Sequence, residues 1–196
     1  MIKINSPIVV FEGIDGVGKT TQANNLKNKI IEKGGKAVVL HFPSKGIIGK
    51  KITRLLKANE FDNLNARTRA LLTASDFFQE MEKYNNYKGI IIFDRYLHSS
   101  FASNKEEDGI TEEWIKLIHF NAPNPDVVFF LKCSPDQILK RRYIDFGAKD
   151  LVRQIKMNKK YNTIFKNNKA FKIDASQKKE IIFEKIWNIF NKEIKL

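Results

Sequence analysis

A glycine-rich loop between an apolar run and a helix-like segment limits what this chain can fold into more than any other feature. The run 8–11 reads Ile-Val-Val-Phe, and the loop begins at Gly13, after one intervening residue. The loop consists of Gly13, Ile14, Asp15, Gly16, Val17, Gly18, Lys19 and Thr20. This is the pattern G-x-x-x-x-G-K-T, whose backbone N–H groups and following helix N-terminus converge on phosphate oxygens. The sequence therefore predicts a strand, a phosphate-binding loop and a helix, in that order.

Three side chains of this loop have a distinct chemical use. Lys19 is suited to contact the β- and γ-phosphates of ATP, and the Thr20 hydroxyl is suited to coordinate Mg2+. A bound triphosphate would repel the carboxylate of Asp15, so we expect that side chain to point toward a sugar hydroxyl or a cation. The alternative is an acid near a helix start that faces water.

Short apolar runs alternate with longer amphipathic segments along the whole chain. The runs are 8–11, 37–42, 90–93, 127–131 and 170–173. The helical candidates are 19–33, 47–57, 65–83, 111–120, 135–143, 151–165 and 178–192, the last with a possible N-cap at Ser176. Continuous apolar runs of about five residues suit strands that are buried on both faces. We predict an α/β fold in three layers, with helices on both faces of a parallel sheet, and one domain over residues 1–196.

The composition excludes several classes of protein. The apolar fraction of 42% is typical of a packed globular chain, and no apolar stretch approaches the roughly 20 residues that span a bilayer. The single Cys133 stands in an apolar run, which favours a packing role in a reduced compartment, so a cytoplasmic protein is expected. The net charge is +13, and residues 132–196 carry 17 basic and 7 acidic side chains. Such a surface attracts polyanions, including free nucleotides and nucleic acid.

A second candidate motif follows the apolar run 90–93. Asp94, Arg95 and Tyr96 come directly after this run, at the carboxyl end of a predicted buried strand. The first strand delivers its loop to the same edge of the sheet, where parallel sheets bind ligands. Asp94 is suited to hold Mg2+ through water, and Arg95 is suited to bind phosphate oxygens in a bidentate way.

These motifs, in this order, resemble the thymidylate kinase family. Residues 11–22 resemble its phosphate loop, and residues 94–99 resemble its D-R-Y-x-x-S segment. Further similar segments are Phe42-Pro43, residues 125–128 and residues 173–176, so the resemblance covers nearly the whole chain. The resemblance implies a five-stranded parallel sheet, a homodimer, ATP with Mg2+ and phosphoryl transfer to dTMP.

The resemblance also implies roles for individual residues. Asp15 would contact the sugar 3′-hydroxyl, Arg95 the phosphates, and Asp94 the metal or the acceptor phosphate. Phe42 would line the acceptor pocket, with Ser99 and Ser100 near the base. The residues expected beside the adenine of ATP are Arg141, Asp174, Ala175 and Ser176. For Arg141, a solvated helix face is the alternative.

The chain departs from the family pattern at several positions of the acceptor site. Thr73 and Phe77 stand where the family usually has a phenylalanine that stacks on thymine and an arginine that hydrogen-bonds it. Phe77 or Phe78 would then either replace the stacking surface or belong to the core. Lys45 replaces an arginine expected to reach the acceptor phosphate. Ser103 replaces an aromatic residue that blocks a ribose 2′-hydroxyl.

The segment at about 143–150 occupies the place of the family's mobile lid, yet it is short and poor in arginine. Members with glycine at the position of Gly16 usually take a catalytic arginine from the lid. The candidates here are Arg142, Lys149 and Arg153, of which Arg142 is preferred, and a solvated basic face is the alternative.

The sequence thus predicts an enzyme that phosphorylates dTMP with ATP and Mg2+. Catalysis would rest on positioning and charge neutralisation, with Lys19, Arg95 and Mg2+ around the transferred group. One alternative is a related kinase with another acceptor, such as dUMP or a nucleoside. A second is a non-catalytic nucleotide- or RNA-binding protein, suggested by the basic C-terminal third.

Overall fold

The computed structural model of the chain describes residues 4–103, 109–141, 148–167 and 169–194. Its centre is a five-stranded, all-parallel sheet in the order β2-β3-β1-β4-β5. The strands are β1 Ile8–Glu12, β2 Ala37–His41, β3 Ile90–Asp94, β4 Val127–Lys132 and β5 Phe171–Asp174. Every residue of β1 and β3 is buried, because these strands have neighbours on both sides and helices over the sheet. The predicted parallel α/β fold is confirmed.

Eight helices flank the sheet in the part of the chain that the structure describes. They are α1 Lys19–Glu32, α2 Ile47–Lys57, α3 Ala66–Met81, α4 Leu97–Ser103, α5 Glu112–Ile118, α6 Pro135–Arg141, α7 Ala148–Asn167 and α8 Lys179–Glu193. Two of them begin with the side-chain caps that helix starts favour: Asn65 accepts from the Thr68 N–H at 2.8 Å, and Thr111 accepts from the Trp114 N–H at 3.1 Å. None of these helices is long and apolar enough to cross a membrane.

Two sequence-based expectations need correction. The short helix α4 was not predicted. The N-cap of α8 is Lys178 rather than Ser176, because the Ser176 N–H donates to Asp174 Oδ1 at 2.8 Å and belongs to the preceding turn.

Aromatic packing fills the core on both sides of the sheet. Phe11 of β1 stacks on Phe129 of β4 at 5.2 Å between ring centroids, and Phe130 stacks on Phe165 of α7 at 4.7 Å. Cys133, directly after β4, is buried in this core. This packing holds the carboxyl ends of β1, β3 and β4 at one edge, where the loops with the candidate site residues begin.

Candidate functional site

The loop after β1 has a backbone that only glycine adopts without strain at its two ends. Gly13 has a φ of 144°, and a Cβ there would lie 2.6 Å from the carbonyl oxygen of Leu131 on β4. Gly18 has a φ of 105° and forms the N-cap of α1. A side chain at either position would force the loop away from the sheet or out of its turn. The glycines therefore set the curvature of the loop.

Lys19 folds back over this loop. Its ammonium group donates hydrogen bonds to the carbonyl oxygens of Gly13 at 3.0 Å and Ile14 at 2.8 Å, and the residue is only 6% exposed. Burial, together with the nearby charge of Arg95, lowers the pKa of Lys19 to about 8. An anion that binds here would stabilise this poorly solvated ammonium group. It would replace the two carbonyl oxygens as the hydrogen-bond acceptor of Lys19.

Thr20 and Asp94 meet beside the loop. The Thr20 hydroxyl donates to Asp94 Oδ2 at 2.5 Å, and His41 Nδ1 lies 3.4 Å from the same oxygen. Asp94 Oδ1 is buried and has no hydrogen-bond partner among the described residues. A buried carboxylate oxygen normally has a partner, so this oxygen fits a hydrated Mg2+, which prefers oxygen ligands. The expected metal residues are thus adjacent.

His41 was missed from the sequence, although its position follows from the sheet. It is the last residue of β2 and is paired in register with Asp94, the last residue of β3. Strand order, which the sequence alone does not provide, would have placed these two residues side by side.

Arg95 and Asp15 form an ion pair across the loop. Arg95 Nη2 contacts Asp15 Oδ1, while Asp15 Oδ2 accepts from Gln154 Nε2 at 2.7 Å. Gln154 Oε1 in turn accepts from the Asp15 N–H at 3.0 Å. Burial alone would raise the pKa of Asp15, but Arg95, Lys19 and Arg153 hold it below its ordinary value. The carboxylate is directed at a cation, as expected, and Gln154 is a partner that the sequence analysis missed.

The second terminal nitrogen of the Arg95 guanidinium, Nη1, points into the protein. Arg95 Nη1 lies 3.2 Å from the carbonyl oxygen of Gly13, 3.2 Å from Tyr161 Oη and 3.4 Å from Ser99 Oγ. Ser99 and Tyr161 both hydrogen-bond to the buried carboxylate of Glu12. The Ser99 hydroxyl therefore belongs to a polar cluster around Arg95.

On the acceptor side, the structure favours a core position for Phe77. Its ring packs against Phe42, Phe93, Tyr96 and His119, and the residue is only 4% exposed. Its proposed use as a stacking surface for a base is therefore not favoured. The Thr73 hydroxyl donates to the carbonyl oxygen of Ala70 at 2.9 Å, so its hydrogen bond is made within α3. Phe78 is partly buried against the same core.

The loop after β2 is held by a buried carboxylate that the sequence analysis did not single out. Asp76 of α3 accepts from the Ser44 N–H at 2.7 Å and from the Ser44 hydroxyl at 2.5 Å. Gly49 packs so closely on the backbone of Ser44 that a Cβ would lie 2.2 Å from its carbonyl oxygen. This loop carries Phe42, which is half-buried, and Lys45, which is exposed.

The remaining candidates lie near β5 or fall outside the described residues. Asp174 forms a turn with Ser176 and lines a cavity of about 500 Å3 between β4, β5, α6 and α7, and Ala175 is buried. Arg141 ends α6, Ser103 ends α4, and Ser100 is half-buried on α4. Arg142 and residues 143–147 of the expected lid lie outside the described residues. Arg153, exposed on α7, is near enough to Asp15 to lower its pKa.

Comparisons of this chain with known proteins consistently match thymidylate kinases. A family model described as thymidylate kinase matches residues 11–186. A probable thymidylate kinase of Methanosphaera stadtmanae is 33% identical, over 96% of this chain and 99% of the relative. One of Methanocaldococcus jannaschii is 34% identical, over 89% and 90%. A thymidylate kinase of Thermosipho africanus is 31% identical, over 95% and 98%.

Proposed function

The chain belongs to the thymidylate kinase family and is a phosphotransferase; from this premise we propose that it transfers the γ-phosphate of ATP to dTMP, forming dTDP and ADP. One observation carries the proposal. The loop after β1 and the end of β3 bring Lys19, the Thr20–Asp94 pair and the Arg95–Asp15 pair to one edge of the sheet. This arrangement suits a triphosphate, a metal ion and a second phosphate.

The proposed mechanism needs no general base. The phosphate oxygens of a nucleoside monophosphate are already ionised near neutral pH, so they can attack the γ-phosphate directly. Lys19 would leave the loop carbonyl groups and bind the β- and γ-phosphates, while Arg95 would neutralise charge between donor and acceptor. Asp15, freed from Arg95, would accept a hydrogen bond from the sugar 3′-hydroxyl.

Mg2+ would be held by Thr20 and Asp94, and it would neutralise phosphate charge during transfer. The buried Asp94 Oδ1, which has no partner in the described part of the chain, is the feature that supports this assignment. The Thr20 hydroxyl would have to turn from Asp94 toward the metal. No step requires either residue to gain or lose a proton.

We assign the wall of the acceptor site to Phe42 and Lys45, on the loop held by Asp76. Ser99, Ser100 and Ser103 would lie on the far side, on α4. The adenine of ATP would lie by Arg141 and residues 174–176. The lid at about 143–150 would close over the phosphates, with Arg142 preferred over Lys149 and Arg153 as its cation. On the basis of the family resemblance, we further propose that the protein is a cytoplasmic homodimer of single-domain subunits.

An acceptor panel tests the proposal. Purified protein with ATP and Mg2+ is given dTMP, dUMP, dCMP, dGMP, dAMP or their ribose forms, and acceptor-dependent ADP release is measured. We expect dTMP to give the highest kcat/KM. Because neither Thr73 nor Phe77 offers a free hydrogen-bond donor to the 4-oxo group of thymine in this structure, dCMP, whose cytosine has an amino group at that position, is the most informative competitor. A higher kcat/KM for another acceptor, or ADP release that needs no acceptor, would reject the proposal.

A further inference from the structure

A fully buried carboxylate lies directly behind the phosphate loop. Glu12 is the last residue of β1, and none of its surface is exposed. Its Oε1 accepts from the N–H groups of Tyr96 at 2.8 Å and Ser99 at 3.2 Å. Its Oε2 accepts from the hydroxyl groups of Ser99 at 2.7 Å and Tyr161 at 2.9 Å. Burying a charge is costly unless it is well hydrogen-bonded, and these four donors meet that condition.

The pKa values of Glu12 and Tyr161 are shifted in opposite directions. Burial alone would raise the pKa of Glu12, but His98, Arg95 and the Ser99 hydroxyl hold it below its ordinary value. Burial and the charge of Glu12 raise the pKa of Tyr161 well above its ordinary value. Glu12 is therefore an acceptor only, and Tyr161 keeps its proton at any pH near neutrality.

Arg95 can only donate hydrogen bonds, so both hydroxyl groups are acceptors toward it. The Tyr161 and Ser99 oxygens lie within hydrogen-bond distance of Glu12 Oε2 and 2.9 Å from each other, so each hydroxyl hydrogen is directed at Glu12 or at the other hydroxyl. Lone pairs of the two oxygens face Arg95 Nη1, at 3.2 Å and 3.4 Å. A cation that donates to oriented acceptors in a buried site is held more firmly than one in water.

The two terminal nitrogens of the Arg95 guanidinium therefore have different surroundings. Nη1 is turned to the buried hydroxyl groups and to the carbonyl oxygen of Gly13, whereas Nη2 faces Asp15, whose side chain is 48% exposed. The backbone is fixed as well, since Arg95 has a φ of 80° and its N–H donates to Phe11 at 3.0 Å. Only the Nη2 end is directed toward the open edge of the sheet.

We propose that Glu12, Tyr161 and Ser99 form a buried positioning cluster, which holds Nη1 of Arg95 so that Nη2 is presented to a phosphate oxygen of the substrate. None of the three touches the reacting atoms through this contact, so they are positioning residues. The inference rests on the proposed function for the identity of the substrate only. A misplaced Arg95 would lose transition-state contacts, because small displacements of a catalytic group have large effects on rate.

The variant Tyr161→Phe tests this cluster with the least disturbance, since it removes one oxygen and keeps the ring in the core. We expect kcat/KM for dTMP to fall about tenfold, the effect of losing one hydrogen bond to a charged group. Tyr84→Phe, a partly buried tyrosine after α3, is the matched control and should stay at the wild-type value. Ser99→Ala should act in the same direction as Tyr161→Phe.

A double-mutant cycle separates positioning from simple destabilisation. In an Arg95→Ala background the guanidinium is absent, so Tyr161→Phe should lower the residual rate by less than about twofold. The core variant Ile182→Val, on α8, controls for lost stability and should have the same effect in both backgrounds. Equal effects of Tyr161→Phe with and without Arg95 would overturn the proposal.

Nuclear magnetic resonance of isotope-labelled arginine gives a readout that does not depend on turnover. We expect separate, slowly exchanging Nη1 and Nη2 signals for Arg95, assigned by their loss in Arg95→Lys. They should merge in Tyr161→Phe and persist in Tyr84→Phe. Unchanged signals in Tyr161→Phe would overturn the positioning role even if dTMP is phosphorylated. Merged signals in a protein that does not phosphorylate dTMP would support the cluster and reject the proposed substrate.

Discussion

Lys19 shows at the scale of one residue how the fold prepares the site for an anion. The ammonium group is buried, and carbonyl oxygens rather than carboxylates are its direct partners. Burial therefore outweighs the attraction of Asp15, Asp94 and Glu12, and its pKa falls from 10.5 to about 8. A triphosphate supplies the negative charge that this position lacks.

We predict that ATP binding weakens as the pH rises above the pKa of Lys19. Below about pH 8 the free enzyme has a charged Lys19, and above it the enzyme must take up a proton to bind ATP. The KM for ATP should therefore rise about tenfold per pH unit above that value, while kcat stays flat because bound phosphates keep Lys19 charged. Steady-state kinetics across this range provide the measurement. A KM for ATP that is constant to about pH 9.5 would contradict this pKa.

The same shift has a consequence for the ligand-free protein. The unfolded chain binds a proton at Lys19 up to a pKa near 10.5, whereas the folded chain releases it near 8. Stability should therefore rise with pH between these values, since the unfolded state holds more protons there.

Asp94 carries a second prediction at this scale. Asp94→Asn keeps an oxygen that can accept from Thr20 but removes the charge proposed to attract Mg2+. We expect the Mg2+ concentration for half-maximal activity to rise about 10-fold to 100-fold, with the fold intact. Titration of activity with Mg2+ measures this, and Asp136→Asn, on the exposed first turn of α6, is the control. An identical Mg2+ dependence in wild type and Asp94→Asn would exclude Asp94 from the metal site.

At the scale of elements, the strands were predictable because each is a short apolar run bounded by polar or glycine residues. The helix α4 was missed because its seven residues, Leu-His-Ser-Ser-Phe-Ala-Ser, contain three serines and too few turns to show a period. The N-cap of α8 was misplaced at Ser176 because the side chain of Asp174 competes for the N–H of Ser176. Local side-chain hydrogen bonds decide such boundaries.

Residues of the candidate site were predictable only where a single strand and the loop after it contain the complete sequence motif. Lys19, Thr20, Asp94 and Arg95 lie in short motifs that follow apolar runs, so they could be named as candidates from the sequence. Glu12 and Tyr161 are 149 residues apart, and their contact depends on how α7 packs on the sheet. The aromatic rings that bury Phe77 likewise come from distant segments, namely Phe42 after β2, Phe93 of β3 and His119 at the end of α5. No local sequence pattern reveals these contacts.

The contact between α3 and the loop after β2 carries a prediction about stability. Asp76→Ala would leave the Ser44 N–H and hydroxyl without their acceptor in a site where Asp76 is 1% exposed. We expect the free energy of unfolding to fall by about 3 kcal/mol, and the KM for the acceptor to rise as the loop loosens. Urea denaturation measures the first effect. Ser75→Ala, at the exposed neighbouring position on α3, is the control, and equal stability of the two variants would contradict this role.

At the scale of the whole molecule, the order of the strands explains why distant segments act together. The central strand β1 has β3 on one side and β4 on the other, so the phosphate loop lies between the Asp94–Arg95 segment and the loop after β4. The helix α7 crosses behind it and contacts both Asp15 and Glu12. The net charge of +13 adds a long-range attraction for anionic nucleotides, which salt should weaken.

The arrangement of Lys19, Thr20, Asp94 and Arg95 is suited to transfer a phosphoryl group from ATP to dTMP. Direct detection of the product by chromatography tests it, with wild-type protein and Lys19→Ala incubated side by side with ATP, Mg2+ and dTMP. We predict that wild-type protein forms dTDP and ADP in equal amounts, and that Lys19→Ala, although folded, is slower by at least about a hundredfold. Absence of dTDP with folded wild-type protein, or equal dTDP formation by the two proteins, would contradict the account.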